Sequence, residues 1–216
     1  MALNQFQNTL GEILFWIEGL AALIALLYFK SAKNSYWKYF VYYLVILFLL
    51  EIIGRYNEHW GKHWKANFYN FLVIPYQFIF FYWLYALKSF KNKKLFWALS
   101  LLYFVSFVSE IFFKKYKIFF CFNYTLGCCM LMILVVMEYY RQINSNDILI
   151  FQQNRMFYIN LGVTIFYIGT LPFITFYPFI VKYVEVWNIY YDYFLISDIM
   201  MYVLFSISFI WGKQNF

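Results

Sequence analysis

The chain has 216 residues, of which 65% are hydrophobic and 28% aromatic, whereas only 12% are charged. Soluble domains average about 25% charged residues and about 45–50% apolar ones, so this composition excludes a water-soluble globular enzyme and indicates an integral membrane protein. The formal net charge of +7 does not indicate nucleic-acid binding, because the basic residues stand in short clusters between apolar runs, as topology signals and lipid-headgroup contacts do.

Seven apolar segments follow one another along the chain, each near the roughly 20 residues that a membrane-spanning helix needs. They cover approximately residues 13–29, 36–56, 68–88, 95–113, 118–140, 156–180 and 188–211. No basic residue precedes the first segment, so we interpret it as a retained helix and not as a cleaved signal peptide. The pattern predicts one all-α domain over residues 1–216, a polytopic membrane protein with seven transmembrane helices.

The distribution of lysine and arginine predicts the orientation of these helices, because cytoplasmic loops carry an excess of both. Seven lie on the side of the N-terminus: Arg55, Lys62, Lys65, Lys114, Lys115, Lys117 and Lys182. Ten lie on the opposite side: Lys30, Lys33, Lys38, Lys88, Lys91, Lys93, Lys94, Arg141, Arg155 and Lys213. We therefore expect the N-terminus outside and the C-terminus inside.

Polar side chains within the predicted spans are concentrated toward the N-terminal side of the bilayer. Charged groups in hydrocarbon cost several kcal/mol unless they are paired or hydrated, so each is a candidate functional residue. The ligand-binding candidates are Glu18, Glu51, Arg55, Asn70, Gln77, Glu110, Asp192 and Asp198. Together they predict a cavity that opens on the N-terminal side.

Each of these candidates also has a structural interpretation. Glu51 and Arg55 are four residues apart and could form an ion pair on one helix face. Glu110 and Asp192 lie near helix ends and could reach water. The side-chain amides of Asn70 and Gln77 could form hydrogen bonds between neighbouring helices.

Glu18 and Asp198 are the strongest candidates, because each lies about two turns inside its span without a basic residue within reach on the same helix. Such a carboxyl group needs a partner on another helix, water or a proton. We therefore predict that both converge with Glu51 on one water-accessible, proton-sensitive cavity beside Arg55.

No motif assigns a catalytic residue or a cofactor. His59 and His63, the only histidines, are four residues apart and are weak metal candidates, but the flanking tryptophans are typical of a headgroup-level aromatic belt, so we expect no metal. The last segment has no lysine for a retinal Schiff base. Three prolines, Pro75, Pro172 and Pro178, predict kinks in the third and sixth helices.

Three segments carry a resemblance to a known group of proteins: YNFLVIPYQF at 69–78, MFYINLG at 156–162 and SDIMMYVLF at 197–205. With the terminal Trp211, they resemble small seven-helix membrane proteins common in Bacteroidota genomes, some of them encoded near histidine kinases. The resemblance implies a multi-pass protein of the bacterial inner membrane and supplies no catalytic residue.

The leading functional hypothesis is a sensor or accessory module that binds a small or lipid-like ligand and signals through a membrane-bound partner. The alternative is an intramembrane enzyme that modifies a lipid with Glu18, Glu51 and Asp198 as acid and base, and a small-solute transporter comes third. A dead-end cavity favours the sensor, a lateral opening favours the enzyme, and polar residues that continue to the other leaflet favour transport. The lipid bilayer is the expected environment, and no nucleic acid is expected as a partner.

Overall fold

A computed structural model describes residues 3–56, 62–116, 122–145 and 151–212, except for the side chains of residues 62–63 and 110–116. Helices form nearly all of this part of the chain, and no β-strand occurs in it. The helices are α1 (Gln5–Leu27), α2 (Phe29–Ala32), α3 (Trp37–Tyr56), α4 (Lys62–Phe68), α5 (Ile74–Tyr82), α6 (Lys93–Tyr116), α7 (Phe122–Ile143), α8 (Arg155–Val163), α9 (Gly169–Thr175), α10 (Tyr177–Ile180) and α11 (Val184–Ile210).

Three wider π-helical segments continue α-helices without a break, and two of them lead directly into the next helix. They are Tyr69–Val73 between α4 and α5, Trp83–Ser89 after α5, and Thr164–Ile168 between α8 and α9. As a result, Trp64–Ser89 and Arg155–Thr175 each run as one continuous helix.

Six helices in the described ranges are long and apolar enough to cross a membrane. They are Gln5–Leu27, Trp37–Tyr56, Trp64–Ser89, Phe122–Ile143, Arg155–Thr175 and Val184–Ile210. The protein is therefore helical and of the multi-pass membrane class, as the composition predicts. The six helices correspond to predicted segments one, two, three, five, six and seven, and α6 lies over the fourth.

Two of the differences from the predicted helix boundaries have a clear local cause. The first helix begins at Gln5, about two turns before the predicted start, because Asn4 and Gln7 form a capping box across its first turn. The predicted sixth segment is divided in two, because Phe176 leaves helical geometry at φ −98° and ψ 14°. Pro178, which has no N–H to donate, lies in the short α10 that follows.

The bundle is closed by aromatic packing in the half that lies away from the N-terminus. Phe40 and Tyr43 at the start of α3 meet Phe80 of the Trp64–Ser89 helix and Phe205 near the end of α11. The ring centroids of Tyr43 and Phe80 are 4.1 Å apart. Phe40, Tyr43 and Phe205 are at most 1% exposed. This half of the bundle is a packed core, whereas the other half is not.

Candidate functional site

A cavity of about 690 Å³ occupies the N-terminal-side half of the bundle. Its walls come from α1, α3, α7, α11 and the continuous helices Trp64–Ser89 and Arg155–Thr175, each near the end that lies on this side. Pockets that bind small molecules measure about 300–1,000 Å³. The cavity is therefore large enough for a ligand of that class.

Six of the eight predicted ligand-binding residues line this one cavity: Glu18, Glu51, Arg55, Asn70, Gln77 and Asp198. Asp192 is not part of the lining, since its Oδ1 accepts a hydrogen bond of 3.0 Å from Gln7 Nε2 and joins α11 to α1. The side chains of Glu110 and His63, and the whole of His59, lie outside the described part of the chain. The common cavity was predictable from residue depth, and ligand binding by these residues stays a prediction.

The rim of the cavity holds an ion pair between Arg55 and Glu12. The Arg55 guanidinium also donates to the Gly11 carbonyl oxygen at 3.4 Å and lies 4.6 Å from the centroid of the Phe15 ring. Arg55 is thus paired with Glu12 and not with Glu51, the partner that the four-residue spacing left open. The first half of α1 packs against the end of α3. The Arg55 guanidinium there contacts the Glu12 carboxylate and the face of the Phe15 ring.

Below the rim, Glu51 is held by a tyrosine from another helix. Its Oε2 accepts a hydrogen bond of 2.8 Å from the Tyr69 hydroxyl. The absence of a side chain at Gly54 makes room for this ring, because a Cβ there would lie 2.5 Å from the Tyr69 oxygen. Tyr69 begins the first π-helical segment, which thus contributes directly to the cavity wall.

The innermost part of the cavity contains Glu18 and Asp198. Each lies about 20 Å along its helix from the end on the N-terminal side, at about 1.5 Å per residue, and so near mid-span. The two carboxyl groups interact electrostatically with one another and with Glu51. All three residues line the same cavity, in the place where the sequence analysis expects them.

Two oxygens in this inner part have no hydrogen-bond partner in the described structure. They are Glu18 Oε2 and Asp198 Oδ1, both fully shielded from solvent. Asp198 as a whole is only 9% exposed. Tyr202, one helical turn after Asp198, turns its hydroxyl toward the Glu18 carboxyl group.

The rest of the lining is mostly apolar and aromatic. The aromatic members are Phe15, Tyr69, Tyr124, Phe166, Tyr191, Phe194 and Tyr202. Apolar walls with a few convergent polar groups are typical of small-molecule sites. Chemically, the cavity can hold an amphipathic molecule whose polar end lies deep in the bundle.

Four residues of this region were missed by the sequence analysis: Gln7, Glu12, Tyr69 and Tyr202. Gln7 had a usable signal, since Asn4-x-x-Gln7 has the spacing of a capping box, and Tyr202 stands four residues after Asp198 on the same helix face. Glu12 and Tyr69 gave no such signal, because their partners are on other helices.

The opposite half contains a buried polar cluster, although the sequence analysis places most polar side chains in the N-terminal-side half. The Glu138 side chain is 0% exposed, and its Oε1 accepts from Arg141 Nη2 and Gln142 Nε2, both at 2.9 Å. Its Oε2 accepts from the Ser89 hydroxyl. Both carboxylate oxygens of Glu138 are therefore engaged within the protein.

Arg155 also differs from its sequence interpretation as a loop charge. It is only 4% exposed and donates from Nε to the Gly212 carbonyl oxygen at 2.9 Å. Its guanidinium lies 5.4 Å from the centroid of the Phe209 ring. Arg155 thus holds the end of the last helix to the start of α8.

No group of three His, Cys, Asp or Glu side chains is arranged to hold a metal ion within the parts of the chain that the structure covers. Comparison with protein-family models, curated proteins and solved structures finds no match to this chain.

Proposed function

We propose that this protein is a membrane-embedded sensor that binds a small amphipathic ligand in the cavity and signals through a membrane-bound partner. The observation that carries the proposal is the single cavity that leads from the exposed rim at Glu12 to the mid-span carboxyl groups of Glu18 and Asp198. Carboxyl groups at mid-span are costly and mark functional sites.

The closed end of the cavity favours a sensor over a transporter. Tyr43, which interacts electrostatically with Glu18 and Asp198, packs directly on Phe80 in the aromatic core. Beyond that core, the buried carboxylate of Glu138 accepts hydrogen bonds from Ser89 and Gln142 and so is engaged within the protein.

The proposed topology has seven spans, with α6 as the fourth, the N-terminus outside and the C-terminus inside the bacterial inner membrane. The cavity then faces the outside, where a sensor meets its ligand. The 24-residue length of α6 is sufficient for a span, and the excess of lysine and arginine on the C-terminal side supports the orientation.

Native mass spectrometry of the full chain released from lipid nanodiscs tests ligand binding. We expect one added small-molecule mass in the wild type and its loss in Val73→Trp, because Val73 is a buried residue of the cavity wall. Ile174→Trp fills the same cavity from another helix. Phe71→Trp is the matched control, since Phe71 is two residues away and 62% exposed. An added mass that all three variants retain, or no added mass in the wild type, contradicts the proposal.

Topology is tested by reporters and labelling. A fluorescent protein fused to the C-terminus is expected to fluoresce in the cytoplasm, and a cysteine placed at Lys62 is expected to react with a membrane-impermeant reagent added from outside. Labelling of that cysteine only after the cytoplasmic face is opened shows the reverse orientation.

A lipid-modifying enzyme is the second candidate. It is favoured by the different surroundings of the carboxyl groups, since Glu51 is held by Tyr69 while Asp198 Oδ1 has no donor in the described structure. Two carboxyl groups in unlike environments can act as acid and base. Recovery of a chemically altered molecule after incubation with the protein would favour the enzyme over the sensor.

A further inference from the structure

We infer that the ligand of the cavity carries an ammonium group, which Glu18 and Asp198 bind at the inner end, while its apolar part lies along the aromatic wall. This inference rests on the proposed function, because it names the chemical class of the ligand for the same site.

The first argument is the distribution of charge along the cavity. The inner and middle parts hold the carboxyl groups of Glu18, Glu51 and Asp198, which are close enough to interact. The described lining has two basic residues, and both belong to the rim: Arg55 is paired with Glu12, and Lys65 is exposed. Arg55 also acts on Glu18, but more weakly than either neighbouring carboxyl group does. A positive charge at the inner end is therefore missing from the protein and can be supplied by a ligand.

The second argument is the set of open hydrogen-bond positions. Glu18 Oε2 and Asp198 Oδ1 are shielded acceptor atoms without a donor in the described structure. A buried acceptor that lacks a donor is unfavourable, more so for a charged group. A primary ammonium offers three donors and a positive charge, so it suits a group of carboxyl side chains better than a neutral ligand does. A hydroxyl group offers one donor and no charge.

The third argument is the aromatic wall beside these oxygens. Tyr124, Phe166 and Tyr202 all line the cavity, and both tyrosines interact electrostatically with Asp198. Aromatic faces attract ammonium groups through the ring quadrupole. A bare metal ion fits less well, because the described side chains form no three-ligand group and metal ions prefer several oxygen ligands at short range.

The test compares three probes of equal chain length on the full chain in phosphatidylcholine nanodiscs: octylamine, octanol and octanoate. Binding is measured by calorimetry and by the shift of the unfolding temperature. We expect saturable binding of octylamine at least about tenfold tighter than that of octanol, since a charge-assisted hydrogen bond replaces a neutral one. Octanoate is expected to bind most weakly, because its charge is repelled.

Variants assign the effect to the inner carboxyl groups. Asp198→Asn and Glu18→Gln are each expected to weaken octylamine binding by about tenfold while octanol binding changes little. Asp192→Asn is the matched control, because it makes the same change on the same helix, outside the lining, and keeps an oxygen that accepts from Gln7. It is expected to leave octylamine affinity unchanged.

The outcomes separate this inference from the proposed function. Saturable binding of octanol or octanoate as tight as that of octylamine, with loss of binding in Val73→Trp, overturns the ammonium inference and leaves a ligand site standing. An octylamine affinity that Asp198→Asn and Asp192→Asn reduce equally also overturns it. Uptake of all three probes without saturation, unchanged in Val73→Trp, contradicts the ligand site itself.

Discussion

Glu138 and Asp198 are both buried carboxyl groups on long helices, yet their surroundings are opposite. Glu138 has donors on both oxygens from Ser89, Arg141 and Gln142, whereas Asp198 lines a cavity and its Oδ1 has no partner in the described structure. A carboxyl group that the protein satisfies stabilises the fold. One that the protein leaves open is costly and is therefore a candidate functional group.

The largest expected effect is the loss of stability in Glu138→Ala. The change removes the shared acceptor of three donors, and breaking a buried ion pair on one side costs about 3–5 kcal/mol. Because the Arg141 side chain is 41% exposed, we expect a cost near the lower end, about 3 kcal/mol. Thermal unfolding in detergent measures it, with Asp198→Asn for comparison. A larger loss of stability in Asp198→Asn than in Glu138→Ala would contradict the distinction between the two halves.

An intermediate loss of stability is expected from Gly54→Ala, which tests whether Tyr69 is held in place within the cavity wall. The new Cβ would lie 2.5 Å from the Tyr69 oxygen and 2.9 Å from its Cζ, so the ring must move and release Glu51. Overpacking of this kind costs about 1–3 kcal/mol. Gly11→Ala is the control, since its Cβ meets nothing within 4 Å. Helix propensity predicts that this control is neutral or more stable by up to about 1 kcal/mol. Equal unfolding temperatures for the two variants would show that Tyr69 is not held in place.

The smallest effect is expected at the rim, in Glu12→Gln. The Glu12 side chain is 63% exposed, and exposed ion pairs contribute about 0.2–1 kcal/mol. We expect a change of that size or less in the free energy of unfolding, and a smaller one still at high salt, because salt screens the pair. A cost comparable to that of Glu138→Ala would mean that the rim is as much a part of the folded core as the opposite half.

The sequence is sufficient to predict the helical class and the depth of the carboxyl groups, because both depend on residues close together in the chain. Apolar run length places Glu18 and Asp198 near mid-span, and depth alone brings them to one cavity. The sequence does not show which side chains on different helices will form hydrogen bonds or ion pairs with one another. The four-residue spacing on α3 suggests Glu51 as an ion-pair partner for Arg55. Packing of α1 against α3 places Glu12 beside Arg55 instead, and these two residues form the ion pair.

Burial of charged residues is equally hard to foresee at helix ends. Arg155 follows a polar linker in the sequence and so counts as a loop charge. The structure buries it because the Trp37 and Phe209 rings and the Gly212 carbonyl group surround its guanidinium. These groups come from the start of α3 and from the end of α11, both far from Arg155 in the sequence, and no local pattern connects them.

The π-helical segment Tyr69–Val73 makes the cavity depend on the number of residues in one helix. A π turn contains one residue more than an α turn, and each residue of an α-helix advances the chain by about 100° around its axis. Deleting one residue here would restore regular α-helical bonding and rotate Tyr69 relative to Pro75 by that angle, away from Glu51. The shape of the cavity wall therefore depends on the length of this stretch as well as on its side chains.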